Sequence, residues 1–163
     1  MFLFLNGIGS NGIGGCLIEA SRDGHLEVVK YLYEECHANV EAKEKNGWTP
    51  INCASERGHL EVVKYLHEEC HANFEAKNNY GSTPIILASA KGHLEVVKYL
   101  YEECHANVEA KTNDGWTPII IASYYGHLEV VKYLHEECHA TITRKAISFA
   151  RNDDIKRYLQ SKL

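Results

Sequence analysis

The chain has 163 residues, 45% of them hydrophobic, enough apolar material for one ordered domain of ordinary size and too much for disorder over the whole length. Its 17 basic and 22 acidic residues are spread along the chain and sum to −5, so the basic excess that a phosphate backbone rewards is missing and nucleic acid is not the expected partner. The apolar run Met1 to Leu5 is far short of a membrane span and has no basic residues before it, so the chain reads as soluble, not secreted and not membrane-bound.

Residues 1–14 form a glycine-rich lead-in. Within it Gly7-x-Gly9-x-x-Gly12 has the form of a dinucleotide fingerprint, but that motif works only between a strand and a helix of a βαβ unit, and the chain beyond Gly12 reads as helical repeats. No nucleotide or other cofactor is expected. Beyond the lead-in the string Gly-His-Leu-Glu-Val-Val-Lys-Tyr-Leu begins at Gly24, Gly58, Gly92 and Gly126, a constant period of 34. Residues 15–45 make an incomplete first unit. Residues 46–79 and 80–113 are whole units that differ at nine positions, residues 114–142 a third, and residues 143–163 a terminal half-unit.

Each unit is expected to fold as two helices and a turn. Thr49-Pro50, Thr83-Pro84 and Thr117-Pro118 set a capping hydroxyl before a proline at the first helical position, where the missing N–H costs nothing. In the first whole unit the helix runs through Ile51 and Ala54 until Gly58 breaks it. His59 then leads into a second helix whose Leu60, Val62, Val63 and Leu66 make one buried stripe. Glu61, Lys64, Glu68 and Glu69 fall on its solvent side, with Lys64 and Glu68 spaced i,i+4. In the half-unit Ala146, Ile147, Phe149 and Ala150 suit one helix, Asp153 a cap, and Ile155, Tyr158 and Leu159 a second helix.

The unit resembles the ankyrin repeat, marked by a Thr-Pro-Leu-His-x-Ala start followed by Gly-His-x-x-Val-Val. Thr49, Pro50, Ala54, Gly58, His59, Val62, Val63 and Leu66 carry the match, which covers roughly Gly15 to Leu163. The resemblance implies an all-α solenoid, a right-handed stack of helix-turn-helix units with projecting β-turn or hairpin loops and degenerate caps. This sequence departs from the family at two places. The usual histidine after Thr-Pro is Asn52, Ile86 or Ile120, which leaves inter-unit hydrogen bonds at that position open and makes stacking lean more on apolar contact. After the second helix stands His71-Ala72-Asn73, preceded by Cys70. That adds one residue to the family's period of 33 and places histidine, which tolerates the left-handed conformation, at the helix end.

In a stack the helix stripes build the scaffold, so recognition is sought where the units differ from one another. The turns vary as Lys45-Asn46-Gly47-Trp48, Asn79-Tyr80-Gly81-Ser82 and Asn113-Asp114-Gly115-Trp116. First-helix ends vary as Arg22-Asp23, Glu56-Arg57, Ala90-Lys91 and Tyr124-Tyr125. In ankyrin proteins these regions commonly form the concave, partner-facing surface, so the resemblance implies a non-catalytic module, most simply a monomer, that binds another protein there. Trp48, Tyr80, Trp116, Tyr124 and Tyr125 beside Arg57 and Lys91 are the residue types that dominate binding hot spots.

Competing chemistry has three footholds. Cys36, Cys70, Cys104 and Cys138 recur with the period, which makes them repeat positions rather than a disulfide framework and points to reduced thiols and an intracellular, cytoplasmic setting. His67-x-x-Cys70-His71, repeated as His135-x-x-Cys138-His139, presents three zinc-ligand types on one face if the helix reaches that far, but Tyr33 and Tyr101 replace the first histidine elsewhere and no fourth ligand is evident. No metal site or catalytic residue is therefore assigned. A metal- or redox-responsive protein and an architectural or regulatory spacer stand as the competing classes. Ser161-Lys162-Leu163 has the form of a peroxisomal address, against the simpler reading of a frayed helix end.

Overall fold

The structure, a computed structural model, describes residues 12–163. The apolar run Met1 to Leu5, Gly7 and Gly9 lie outside the described residues. Among the described residues ten helices succeed one another in chain order: α1 (Gly12–Arg22), α2 (Leu26–Glu34), α3 (Pro50–Arg57), α4 (Leu60–Glu68), α5 (Pro84–Lys91), α6 (Leu94–Glu102), α7 (Pro118–Tyr125), α8 (Leu128–Glu136), α9 (Arg144–Ser148) and α10 (Asp153–Gln160). There is no strand among the described residues. Helix α1 begins inside the span read as lead-in.

The odd-numbered helices pack one on the next through the molecule, and each packs on the even-numbered helix that comes after it. This is the stacked-pair solenoid, and its core is one continuous apolar column. The first helices contribute Leu17, Ile51, Ile85 and Ile119, and the second helices contribute Val63, Val97, Val131, Leu66, Leu100 and Leu134, all fully buried. Helix α10 closes the C-terminal end with Ile155 and Leu159 buried and charged residues outward. At the other end Val28 is 47% exposed, whereas its equivalents Val62, Val96 and Val130 are 1% exposed beneath the preceding tier.

The helix boundaries follow the expected signals with two corrections: α10 is capped by Asn152, which accepts from the Ile155 N–H at 3.0 Å, and not by Asp153, its first residue, and of the three Thr-Pro threonines one caps its helix. Proline opens α3, α5 and α7, and a left-handed glycine closes each, at Gly58, Gly92 and Gly126. Only Thr49 caps as expected. Asn52 Oδ1 accepts from both the Thr49 backbone N–H, at 3.1 Å, and the Thr49 hydroxyl, at 2.9 Å, pinning the side chain where it accepts from the Asn52 N–H. Isoleucine at 86 and 120 supplies no such acceptor, and the hydroxyls of Thr83 and Thr117 are buried without a hydrogen-bond partner among the described residues. The extra residue of the 34-residue period appears at the end of each second helix. There the N–H of Cys36, Cys70, Cys104 and Cys138 reaches back five residues to the carbonyls of Tyr31, Tyr65, Tyr99 and Tyr133, a wider turn than the α-helix makes. His37, His71, His105 and His139 come next in the left-handed conformation, at φ from 52° to 57°.

Stacking is more polar than the substitutions at 52, 86 and 120 suggest, because other side chains tie the tiers. The Nε2–H groups of His59, His93 and His127 donate to the carbonyls of Arg22, Glu56 and Ala90 one tier back, at 2.9–3.0 Å. The hydroxyls of Tyr65, Tyr99, Tyr133 and Tyr158 donate to Glu34, Glu68, Glu102 and Glu136. Asn52 itself donates to the Ala76 carbonyl at 2.9 Å. Glu68 is thus a partner for the next tier, and Lys64 pairs with Glu61 at 3.1 Å instead of with Glu68. The histidines also explain the glycine one tier back from each of them: a Cβ on Gly24, Gly58 or Gly92 would stand 2.5 Å from the ring of His59, His93 or His127.

Candidate functional site

The turn tips are closed hairpins without strand. In the first, the Gly47 N–H donates to Glu44 and the Glu44 N–H to Trp48, with Gly47 at φ 76°, a turn ending in a left-handed glycine. Neighbouring tips are stitched together. Asn79 N–H donates to the Asn46 carbonyl and Asn113 N–H to the Tyr80 carbonyl, while the Asn79 and Asn113 side-chain amides donate to Lys45 and Asn79. Lys45, Asn46, Asn79, Asn113 and Asp114 lie on this edge, but Asn79 and Asn113 are engaged in building it.

Ser82 does not belong to the exposed set. It is 8% exposed because the Asn78 side chain folds under the turn and accepts from the N–H groups of both Tyr80 and Ser82. Trp48 is half-buried, and Tyr80 projects alone at 60% exposure. Among the described residues neither ring stacks on another aromatic.

The aromatic residues do converge at the C-terminal end. Trp116, at the third turn, meets Tyr124 edge-on with centroids 5.2 Å apart and stacks on Phe149 at 5.2 Å with the ring planes 30° apart. Tyr124 in turn meets Tyr125 at 5.0 Å and Phe149 at 6.4 Å. Such offset and edge-to-face pairs are the favoured arrangements of aromatic quadrupoles. Local sequence places them: Trp116 precedes the Thr117-Pro118 helix start, Tyr124 and Tyr125 are the last residues of α7 before Gly126, and Phe149 caps α9. Tyr124, Tyr125 and Phe149 keep 42–47% of their surface exposed, so the cluster is an ordered platform open to solvent. Phe149 is the member that repeat comparison missed. It lies in the terminal half-unit, which has no sister copy to compare, and its apolar character suited a core position equally well.

One cation lies on this platform, and others extend away from it along the first-helix ends. Lys145 Nζ stands 5.1 Å from the Trp116 ring centre and donates to the Asp114 carbonyl at 3.1 Å. Arg57 and Lys91, both exposed, flank Glu56, which approaches them at 3.4 and 3.3 Å, and Ala90 is half-buried between the helix ends. Arg151 is exposed, and its backbone N–H donates to Ser123 at 2.9 Å, which sets it against the end of α7.

The repeated His-Cys-His string does not form one face. Helix α4 ends at Glu68, so Cys70 is buried past the helix end and His71 is exposed. His67 instead meets the next tier. Its Nδ1–H donates to the Tyr99 hydroxyl at 2.9 Å, and the Cys104 sulfur lies 3.5 Å away. Among the described residues no group of three His, Cys, Asp or Glu side chains is placed to hold a metal ion. All six cysteines are free thiols, and burial pushes those of Cys70, Cys104 and Cys138 up to about 12, far from thiolate at neutral pH. Ser161-Lys162-Leu163 comes after α10, with Leu163 78% exposed. No helix among the described residues is long and apolar enough to cross a membrane.

Comparison with curated proteins gives no match. The family model for ankyrin repeats, in three copies, matches residues 17–112 and again 70–146. Ankyrin repeats are in general protein–protein interaction modules that usually bind other proteins and generally lack enzymatic activity. With the stacked helix pairs, the left-handed glycine caps and a family match across most of its length, the chain belongs to the ankyrin-repeat family.

Proposed function

We propose that this chain is a non-catalytic binding module whose partner is another protein, held on the face formed by the turns and first-helix ends and anchored on Trp116, Tyr124, Tyr125 and Phe149. The observation that carries this reading is the four-ring cluster itself, ordered by mutual ring contacts while three of its members stay between 42% and 47% exposed. Rigid rings lose little rotamer entropy on binding and bury large area, which is why they serve as anchors. Lys45, Asn46, Arg57, Tyr80, Lys91 and Asp114 form the polar surround, and Trp48 lies two tiers away as a secondary contact.

The test compares two variants of the immobilised chain as bait for proteins from its source cells. One carries Tyr124→Ala with Phe149→Ala, the other Glu61→Ala with Glu95→Ala on the second-helix face. Selective capture that is lost with the aromatic pair and kept with the glutamate pair supports the reading, provided both variants melt like the parent. Capture retained by the aromatic variant overturns it.

A further inference from the structure

The charge of this molecule is divided between its faces. Each second helix with the glutamate after it carries three glutamates and one lysine, so the four together hold −8 of a chain whose net charge is −5, and everything else sums to +3. On those helices the lysines are already used. Lys30, Lys64, Lys98 and Lys132 each pair with the glutamate three residues before, at 2.9–3.1 Å. Of the remaining cations, Arg57 and Lys91 share Glu56, and Lys145 and Arg151 have no carboxylate partner among the described residues; these four stand at the first-helix ends or against Trp116.

Their arrangement follows the stack. Arg57 and Lys91 occupy the last position of successive first helices, the position that Tyr125 takes in α7, and Arg151 comes next against the end of α7. Packed helices lie about 8–10 Å apart, so these side chains make a row of two cations, a ring and a third cation with a repeat close to that of every third residue of an extended peptide. Glu56 is the one carboxylate among the described residues that pairs with the row, bridging Arg57 and Lys91 and leaving that trio with one net positive charge. Lys145 meets only a backbone carbonyl and the face of Trp116.

Building on the proposed binding face, we infer that its partner is an acidic protein segment with a large apolar or aromatic anchor, the acids lying along Arg57, Lys91 and Arg151 and the anchor on Tyr124 and Phe149. Charge complementarity selects this class: an acidic segment is attracted by the row and repelled from the glutamate-rich helices behind it, which fixes the face on which it docks. A nucleic acid would find the same rings, but it carries a charge on every phosphate, and a row of three cations matches too few of them. Glu56 then acts as an internal competitor that an incoming carboxylate must displace.

A displayed library of random dodecapeptides, selected on the full chain, tests this directly. The selected sequences are expected to carry excess Asp and Glu with an aromatic or leucine. A synthetic copy should bind about tenfold more weakly to a Lys91→Glu, Arg151→Glu variant, and more weakly still as salt rises. Glu56→Gln should tighten it several-fold, a gain that a merely structural role for Glu56 would not produce. Neutral or basic peptides that are lost with Tyr124→Ala and Phe149→Ala would overturn the acidic partner while leaving the binding face in place. Peptides indifferent to both ring substitutions would overturn the face as well. Failure to select any sequence, or tighter binding of a single-stranded thymidine dodecamer at physiological salt, would also overturn the inference.

Discussion

The two helices of each unit recur with the same 34-residue period and are used differently. Leu-Glu-Val-Val-Lys-Tyr-Leu stands unchanged in α2, α4, α6 and α8, and in the last three its residues bury the core, pair with one another or reach the neighbouring tier. The pair that closes each first helix changes in every tier, from Arg22-Asp23 to Tyr124-Tyr125, and the tyrosines that end the series remain open to solvent. The contrast teaches that in this array sameness marks positions where a unit must fit its own copy, and difference marks positions that no copy constrains.

The largest break in that comparison should come from the unchanged helix. Leu100→Ala removes a fully buried side chain from the middle of the column and is expected to cost about 2–5 kcal/mol, read from the denaturant midpoint. A Tyr124→Ala substitution on the varying face loses ring contacts but opens no core cavity, and should cost no more than about 1.5 kcal/mol in the same measurement. Equal costs for the two would remove the distinction between scaffold and surface.

A smaller effect separates one tier from the next. Thr49→Val strips the hydroxyl that caps α3 and bonds Asn52, and should cost about 1–2 kcal/mol. Thr83→Val removes a buried hydroxyl that has no partner among the described residues, so it should be neutral or stabilising. Smaller again, His71→Gly relieves a left-handed non-glycine residue and is expected to add about 0.5–1 kcal/mol.

The histidine ties predict a pH dependence. Burial holds His93 below the usual 6.5; the bond to the Glu56 carbonyl opposes this shift, and nearby His127 and His59 reinforce it. The unfolded chain then takes up the proton before the folded one does. The contribution is full above about pH 6.5 and is lost as pH falls through the lower native value. Urea midpoints should therefore decline on acidification below pH 6.5, and less so in His93→Gln.

Much of this was legible in the residues. Thr-Pro starts, Gly58 and its equivalents, and the Val62, Val63, Leu66 stripe dictate the helices, because proline, glycine and apolar spacing act locally. The left-handed His71 and the altered helix end come from one extra residue per period. What escaped depends on which tier lies beside which. The Tyr65–Glu34 and His59–Arg22 bonds join residues 31 and 37 positions apart, and neither residue type announces its partner. Ser82 reads as a turn-tip residue in the sequence, and only the fold brings Asn78 beneath it. Trp48 and Trp116 hold the same place in their turns, where the middle unit has Ser82, yet among the described residues only Trp116 gains ring partners, because Tyr124 and Phe149 stand beside it.

Amide hydrogen exchange of the full chain, with and without a protein captured from its source cells, puts the central claim most directly. Added protection is expected at Trp116, at Tyr124 to Gly126 and at Phe149 to Arg151, with α4, α6 and α8 exchanging as before. Protection confined to those second helices, with the aromatic end unchanged, would contradict it.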